Sequence, residues 1–379
     1  MSFFEVASIK NAKIQAFRGS ILEFKGGVVF GQECPSIKNM LRQTRYWEPC
    51  DSFDENVSAS INLSGQFIYG GPIYNHFGHF MSEMVHRIVR ARRIWGGGKV
   101  LFVTSKGASN SKNSLPYYIR DILKFLDLTS DEYEIVSEDC VVEDLLVVEA
   151  GSDFGGGPKV GYVDELAAWG AGRFSADKDA PRRLFVSRSG IKQGGIFLGE
   201  SYLEDWLSSA GFTAFHPEKF SFSDQIEAYR SAESIIFSEG SACHGVELLG
   251  ASSLGRTLIL NRRHSHEEIF ARVLRPRSAE FQSHVIGSDL GTALVRAESK
   301  IPLYEFSVSL IDPDLITKII DEFGYPVPDR FDINQYSQAA EADLYSYIDY
   351  FNKNPSDLIS ISLADEVRSK FYEEMSRLR

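Results

Sequence analysis

The sequence predicts an α/β protein with a doubly wound parallel sheet and more than one domain. Three observations carry that expectation. The chain has 379 residues, which at ordinary domain size divides into two or three. Hydrophobic residues make up 43% and charged residues 24%, the balance of a globular protein with a sizeable core. From residue 184 onward, short apolar runs alternate with helix-like segments, the rhythm of β-α-β units.

In chain order, Gly27-Val28-Val29-Phe30 and Gln66-Phe67-Ile68-Tyr69 are short β-rich runs. Residues 99–104 form a continuous apolar run, as a buried parallel strand does. Residues 116–126 read as a helix, 141–149 as a strand and 166–169 as a helix; Gly155-Gly156-Gly157-Pro158 breaks the pattern, and the Gly96-Gly97-Gly98 run is a loop. Residues 170–183, rich in small and charged side chains, are the candidate linker. Beyond it, 184–187 is a strand and 201–210 a helix closed by Gly211. Residues 212–215 are a strand, and Ser221 opens a helix with Asp224 as its capping-box partner. Strand 234–237, helix 242–249 and strand 257–260 complete the alternation. The tail from Asp312 reads as mostly helical, with helices over 314–323 and 364–378, and with the acidic, tyrosine-rich stretch 335–351 as an amphipathic helix packed on the body. The domains expected are 1–175, 182–300 and a helical extension over 301–379 that packs back on the body.

Composition excludes several classes. Forty Lys and Arg against 52 Asp and Glu give a net charge of -12 with no basic stripe, which argues against general nucleic-acid binding. Cys34, Cys50, Cys140 and Cys243 show no CxxC spacing, so neither a disulfide scaffold nor a zinc knuckle is expected. Glu5, Lys10, Lys13 and Arg18 interrupt the N-terminal apolar residues, and no run is long enough to span a bilayer. A cytoplasmic protein with no membrane span is the expectation.

Three segments can carry chemistry. The first runs from Tyr74 to Arg90. On a helix of 3.6 residues per turn, His76, His79, Glu83, His86, Arg87 and Arg90 fall within an arc of about 100°. His79 and Glu83 stand at i,i+4, where a carboxylate beside an imidazole fixes its tautomer and raises its basicity, as a general base requires. A solvated helix face with incidental histidines fits the spacing as well. A zinc site fits less well, because the His-Glu-x-x-His order is missing.

The second segment ends a strand in Ser187-Arg188, with Lys192 just beyond. Cations at that end of a doubly wound sheet point at the ligand crevice, and an Arg fork can chelate a diphosphate; an exposed basic loop is the competing reading. In the third, the strand ending at Ser238 runs through Glu239 into Gly240-Ser241-Ala242, then Cys243 and His244. A helix starting there would offer amides to phosphate oxygens, Glu239 could accept from ribose hydroxyls, and His244 could reach a phosphate. A plain strand-to-helix turn remains open. A Walker loop is excluded by the missing Gly-Lys-Ser/Thr, and a Ser241–His244 hydrolase is disfavoured, because residues three apart at the start of one helix seldom give the base geometry and no third member is evident.

Taken together, these segments resemble the family 61 glycosyltransferases, including the bacterial members of capsular polysaccharide loci. Asn75-His76-Phe77-Gly78-His79-Phe80 with Glu83 is similar to the family's N-terminal helix motif, and residues 184–188 to its Ser-Arg strand end. Glu200 matches the Glu of its "N-E" helix start. Pro217, Glu218, Phe222, Gln225 and Ile226 match a further motif, and Ser238 to His244 its bacterial "G-S-A-L-H" loop. The match spans about residues 66 to 262. Gly199, Ser189 and Cys243 depart from the pattern.

The resemblance implies a GT-B-like fold, with two Rossmann-like domains facing each other across a cleft. It implies a nucleotide sugar held by the C-terminal domain and an acceptor and base on the N-terminal one. It also implies inverting transfer without a metal or other cofactor, from a nucleotide-sugar donor to a glycan acceptor. In that scheme His79 and Glu83 are catalytic. Arg188, Lys192, Glu239, Gly240, Ser241, Ala242 and His244 bind the nucleotide diphosphate, and Asn75, His76 and Glu218 support the acceptor. Peripheral association with a polysaccharide assembly system fits the same resemblance. A non-catalytic nucleotide or carbohydrate binder, or a nucleotide-sugar epimerase or hydrolase, is the alternative.

Overall fold

The computed structural model describes residues 4–18, 25–29, 59, 61–94, 97–153, 155–174, 180–192 and 194–379. Cys34, Cys50, Phe30, Gly96 and residues 175–179 of the candidate linker lie outside the described residues. The chain forms two compact units. One comprises residues 1–175, 221–226 and 244–253; the other comprises 176–220, 227–243 and 254–379. The division runs through a helix and through a 3-10 turn, so the first unit takes two short pieces of chain, 221–226 and 244–253, from within the sequence of the second.

The first unit is built on a six-stranded mixed sheet: β1 (Val6–Arg18), β2 (Lys25–Val29), β3 (Ile61–Pro72), β4 (Lys99–Val103), β5 (Tyr133–Val136) and β6 (Cys140–Val148), in the order β2-β1-β6-β3-β4-β5. Strands β3, β4, β5 and β6 run parallel, with Ile68 opposite Val100 and Phe67 opposite Leu145; β1 is antiparallel to both β2 and β6. Side chains two apart share a face. Ala12 and Ile14 of β1, Phe67 and Tyr69 of β3, Leu101 and Val103 of β4, and Leu145 and Val147 of β6 therefore enclose one core. The helices of this unit are α1 (Phe77–His79), α2 (Val85–Ile94), α3 (Tyr117–Phe125) and α4 (Tyr162–Gly170). Between α1 and α2 lies a π-helical turn, Phe80–Met84. The two-residue strands β7 (Ser152–Asp153) and β8 (Gly157–Pro158) pair antiparallel, so the second half of the glycine run is strand and Gly155-Gly156 lies in the turn before it.

The second unit is a five-stranded, all-parallel sheet: β9 (Arg183–Val186), β10 (Thr213–Phe215), β11 (Ser234–Ser238), β12 (Leu254–Asn261) and β13 (Ser278–Val285), in the order β10-β9-β11-β12-β13. In chain order that is 2-1-3-4-5, the doubly wound arrangement whose strand order reverses between β9 and β11. Helices α5 (Glu200–Ser208), α6 (Phe222–Ser231) and α7 (Glu267–Leu274) connect the strands. The capping box at the start of α6 forms: the Asp224 amide donates to Ser221 Oγ, which in turn donates to the Asp224 carboxylate.

The tail adds β14 (Gly287–Gly291), β15 (Leu294–Arg296), β16 (Val308–Ile311), α8 (Pro313–Glu322), α9 (Ile333–Lys353), β17 (Ile359–Ile361) and α10 (Ala364–Leu378). Ile316, Ile320, Tyr336, Leu344, Tyr347, Phe371 and Met375 of these helices share one buried core with Phe185, Ile236 and Leu258 of the sheet.

Two expected elements differ. Residues 242–249 do not form an α-helix; the chain makes a 3-10 turn, Ser241–Val246. Gly240, Ser241 and Gly245 are poor α-helix formers, and the tighter i→i+3 bonds, such as Glu247 N to His244 O at 3.1 Å, close the segment instead. The single helix expected through residues 76–87 is broken by the π turn, so its polar positions do not stay on one stripe.

Candidate active site

In the first unit the site begins where β3 ends. His76 is extended and caps α1, its Nδ1 accepting the His79 amide at 3.3 Å. This is the work a Ser or Asp usually does, and it leaves the proton of the neutral ring on Nε2. Burial, then the nearby His79 and His244, lower the His76 pKa from 6.5 to about 4. The side chain still has an exposed edge, where water moderates the shift.

The π turn buries Phe80, Met81, Ser82, Glu83 and Met84 together, and its wide geometry carries Glu83 back under His79. His79 Nδ1 lies 2.5 Å from Glu83 Oε1, and the Tyr74 hydroxyl donates to the same oxygen at 3.4 Å. The His79 side chain is 14% exposed and that of Glu83 5%, so the imidazole is the more open member of the pair. Asn75 Oδ1 accepts the Tyr118 hydroxyl at 2.8 Å; burial pushes Tyr118 up to about 12, which keeps it a donor.

The remaining polar positions of the expected stripe turn inward. Arg87 donates to Val148 O at 2.7 Å. Arg90, 2% exposed, makes a two-toothed pair with Glu165 at 3.0 and 3.1 Å and stacks on Phe4 and Tyr162. Both bolt α2 to its neighbours. His86 is fully buried against Tyr162. His244 belongs to this unit too; it couples to His76 and bonds Glu247 at 3.0 Å.

In the second unit the site lies at the reversal of strand order. Arg188, two residues past β9, donates from Nη1 to the Glu239 carbonyl at the end of β11, at 2.7 Å. Its amide donates to Glu200 Oε1 at 2.9 Å, tying the end of β9 to the start of α5. Glu200 is 1% exposed, and burial raises its carboxyl pKa. Gly240 makes room for the arginine: a Cβ there would collide with the Arg188 guanidinium. Lys192, Arg188, Ser189 and Glu200 line a cleft of about 310 Å³, counted with its open mouth, and Asp343 and Tyr347 of α9 close its other side. Asp343 accepts the Gly199 amide at 2.8 Å. Burial raises its pKa, with Lys192 opposing.

Glu239 spends its carboxylate internally. It accepts from the amides of Arg262 and Arg263 at 2.7 and 3.1 Å, and from their guanidinium groups at 3.2, 3.2 and 2.8 Å. Burial opposes its ionisation, but the two arginines prevail and hold the carboxyl below the ordinary range. Ser241 and Ala242 sit in the 3-10 turn, half-buried. Glu218, on the turn Pro217–Lys219, stands beside His216 at 3.8 Å in the second unit, whereas Asn75 and His76 are in the first.

Sequence reasoning missed Arg262 and Arg263, although the rule that singled out Arg188, a cation past the end of a parallel strand, applies to them after Asn261. It also missed Glu247, three residues beyond His244, and Asp343. Among the described residues, no three His, Cys, Asp or Glu side chains gather as a metal-ion cluster, and no helix is long and apolar enough to cross a membrane.

No curated protein matches the chain. Residues 77–249 match the family model described as Glycosyltransferase 61. The matched stretch holds the His79–Glu83 pair, the Arg188–Glu200 tie and the turn that carries His244. A family of sugar-transferring enzymes thus covers both constellations, and over this stretch the chain is similar to it: the protein is a glycosyltransferase enzyme.

Proposed function

We propose that the chain is an inverting, metal-independent glycosyltransferase of the GT-B plan, moving a sugar from a nucleotide-sugar donor to a glycan acceptor in surface polysaccharide biosynthesis. The observation that carries the reading is the 2.5 Å contact of His79 Nδ1 with Glu83 Oε1. It orients the ring so that Nε2 receives the proton of the acceptor hydroxyl, while the carboxylate stabilises the imidazolium that forms. The acceptor oxygen attacks the anomeric carbon from the face opposite the diphosphate. The bond to the diphosphate breaks, and the electron pair leaves with it.

Arg188, Lys192 and His244, with the amides of Gly240, Ser241 and Ala242, balance that departing charge. Asn75, His76 and Glu218 are proposed as support for the acceptor. For Glu239 the ribose role gives way to holding Arg262 and Arg263, because its carboxylate already accepts from both.

Glu83→Gln and His79→Gln should each lower transfer by about 10²–10⁴-fold while leaving nucleotide affinity near the wild-type value. Arg188→Ala should weaken nucleotide binding as well. The check is a thermal-shift and calorimetric screen with UDP, GDP, CMP, dTDP and ADP, in EDTA and in magnesium, followed by transfer assays with the sugar donors of whichever nucleotide binds. Stabilisation in EDTA supports the reading, and wild-type transfer rates in all three variants overturn the residue assignment. Release of free sugar without acceptor would point to a hydrolase.

A further inference from the structure

Behind His244 the first unit holds a chain of buried polar groups. His244 Nδ1 is 3.0 Å from Glu247 Oε1, and the other carboxylate oxygen of Glu247 lies 3.5 Å from His86 Nε2. His86 Nδ1 in turn lies 3.2 Å from the Tyr162 hydroxyl. Glu247 is 1% exposed, His86 and Tyr162 0%, and His244 6%. His244 Nδ1–H donates to Glu247 Oε1, and the second carboxylate oxygen lies within ion-pair distance of His86 Nε2 without a hydrogen bond to it. The Tyr162 hydroxyl also lies 3.4 Å from the His86 carbonyl, so it has both that oxygen and Nδ1 within reach. A buried carboxylate is costly unless it is paired and hydrogen-bonded, and the His244 ring supplies that bond.

We infer that Glu247 is a positioning residue: it holds His244 with Nδ1 turned inward, stabilises its imidazolium form, and so presents Nε2–H as a cationic donor to the diphosphate. This rests on the glycosyltransferase reading, in which His244 serves the departing diphosphate. Glu247 repeats, one site further along the chain, the device by which Glu83 holds His79. The two devices differ in task. His79 must begin neutral to accept a proton, whereas His244 is useful as a cation. His86, itself beside Tyr162, packs on the far side of that carboxylate, with Nε2 at 3.5 Å from its second oxygen. Among the described residues, titratable groups that face this pair include His86 from α2, Tyr162 from α4, and His76, which is itself coupled to His79 and Glu83.

The test uses the full chain labelled with ¹⁵N-histidine. In the wild type, the neutral His244 ring should carry its proton on Nδ1; a ring protonated on Nε2 would overturn the inference without any variant. Glu247→Gln keeps the shape and an accepting oxygen but removes the charge. It should lower the titration midpoint of His244 by about one pH unit or more, and Glu247→Asp should restore part of it. The nucleoside diphosphate that binds best in the screen should then bind Glu247→Gln about tenfold more weakly at pH 7, with the difference vanishing at lower pH. An unchanged midpoint would overturn the inference. A shifted midpoint with unchanged diphosphate affinity would overturn the assignment of the pair to the diphosphate. Failure of every diphosphate to bind the wild type would sink the parent reading instead, and the histidine titration would still decide whether Glu247 controls His244.

Discussion

At the scale of single residues, the site depends on where small groups allow large ones to pass. Gly240 is the clearest case. Its missing Cβ is the space the Arg188 guanidinium occupies on its way to the Glu239 carbonyl. Gly240→Ala should therefore displace Arg188, cost about 1–3 kcal/mol of stability as an overpacked site does, and weaken nucleotide binding. Urea unfolding and calorimetry on the same variant measure both. His76 offers a second residue-scale prediction. Its pKa is lowered from 6.5 to about 4, so folding favours the neutral ring. The stability that follows is complete above about pH 6.5 and is lost as pH falls from there towards 4, because the unfolded chain binds the proton first. A histidine proton titration by NMR should place the His76 midpoint well below those of exposed histidines, and His244→Gln should raise it by removing one source of positive charge.

At the scale of elements, α2 is held by charge as much as by apolar packing. Arg90 lies buried with Nε and Nη2 on Glu165 of α4 and Nη1 on the Glu149 and Ala150 carbonyls, and its guanidinium stacks on Tyr162. Removing Glu165 leaves the buried guanidinium with Glu149, at 3.7 Å, as a more distant counter-ion, so Glu165→Ala should destabilise the protein by about 3 kcal/mol. Replacing both Arg90 and Glu165 by apolar residues of similar size should cost much less, and denaturant melts of the single and double variants make the comparison. The π turn belongs to the same scale. It lets the polar residues of one amphipathic segment divide, with His79 and Glu83 forming a hydrogen-bonded pair and Arg87 and Arg90 serving as internal bolts.

At the scale of the molecule, the helical tail is part of a core and not an ornament on it. Tyr336, Leu344 and Tyr347 of α9 and Phe371 and Met375 of α10 are buried with strand residues Phe185, Ile236 and Leu258. A chain ending at residue 300 should therefore lose the cooperative unfolding of the second unit, visible as exposed apolar surface in dye binding and as the loss of near-UV dichroism. The same helix α9 brings Asp343 and Tyr347 to the cleft that Arg188 and Lys192 line. Truncation should thus remove ligand binding as well as stability.

Much of this was legible in the sequence, because it is written in local pattern. Apolar runs of four to six residues marked β4, β9, β11 and β12, and the Ser221–Asp224 spacing marked the start of α6, since periodicity and capping are local properties. The i,i+4 spacing of His79 and Glu83 brought the hydrogen-bonded pair to notice, and the place of Arg188 after a strand brought the cation. Other features depend on residues far apart in the chain, which no local pattern can pair. Burial and partners, set by packing, decided that Arg90 is a bolt, that the Glu239 carboxylate is spent on Arg262 and Arg263, and that Glu247 stands between His244 and His86. The sequence by itself determined the alternating elements and the chemical types at their ends; only the tertiary structure decided which charges are satisfied internally and which are left to meet a substrate, because desolvation and pairing arise only when distant segments pack together.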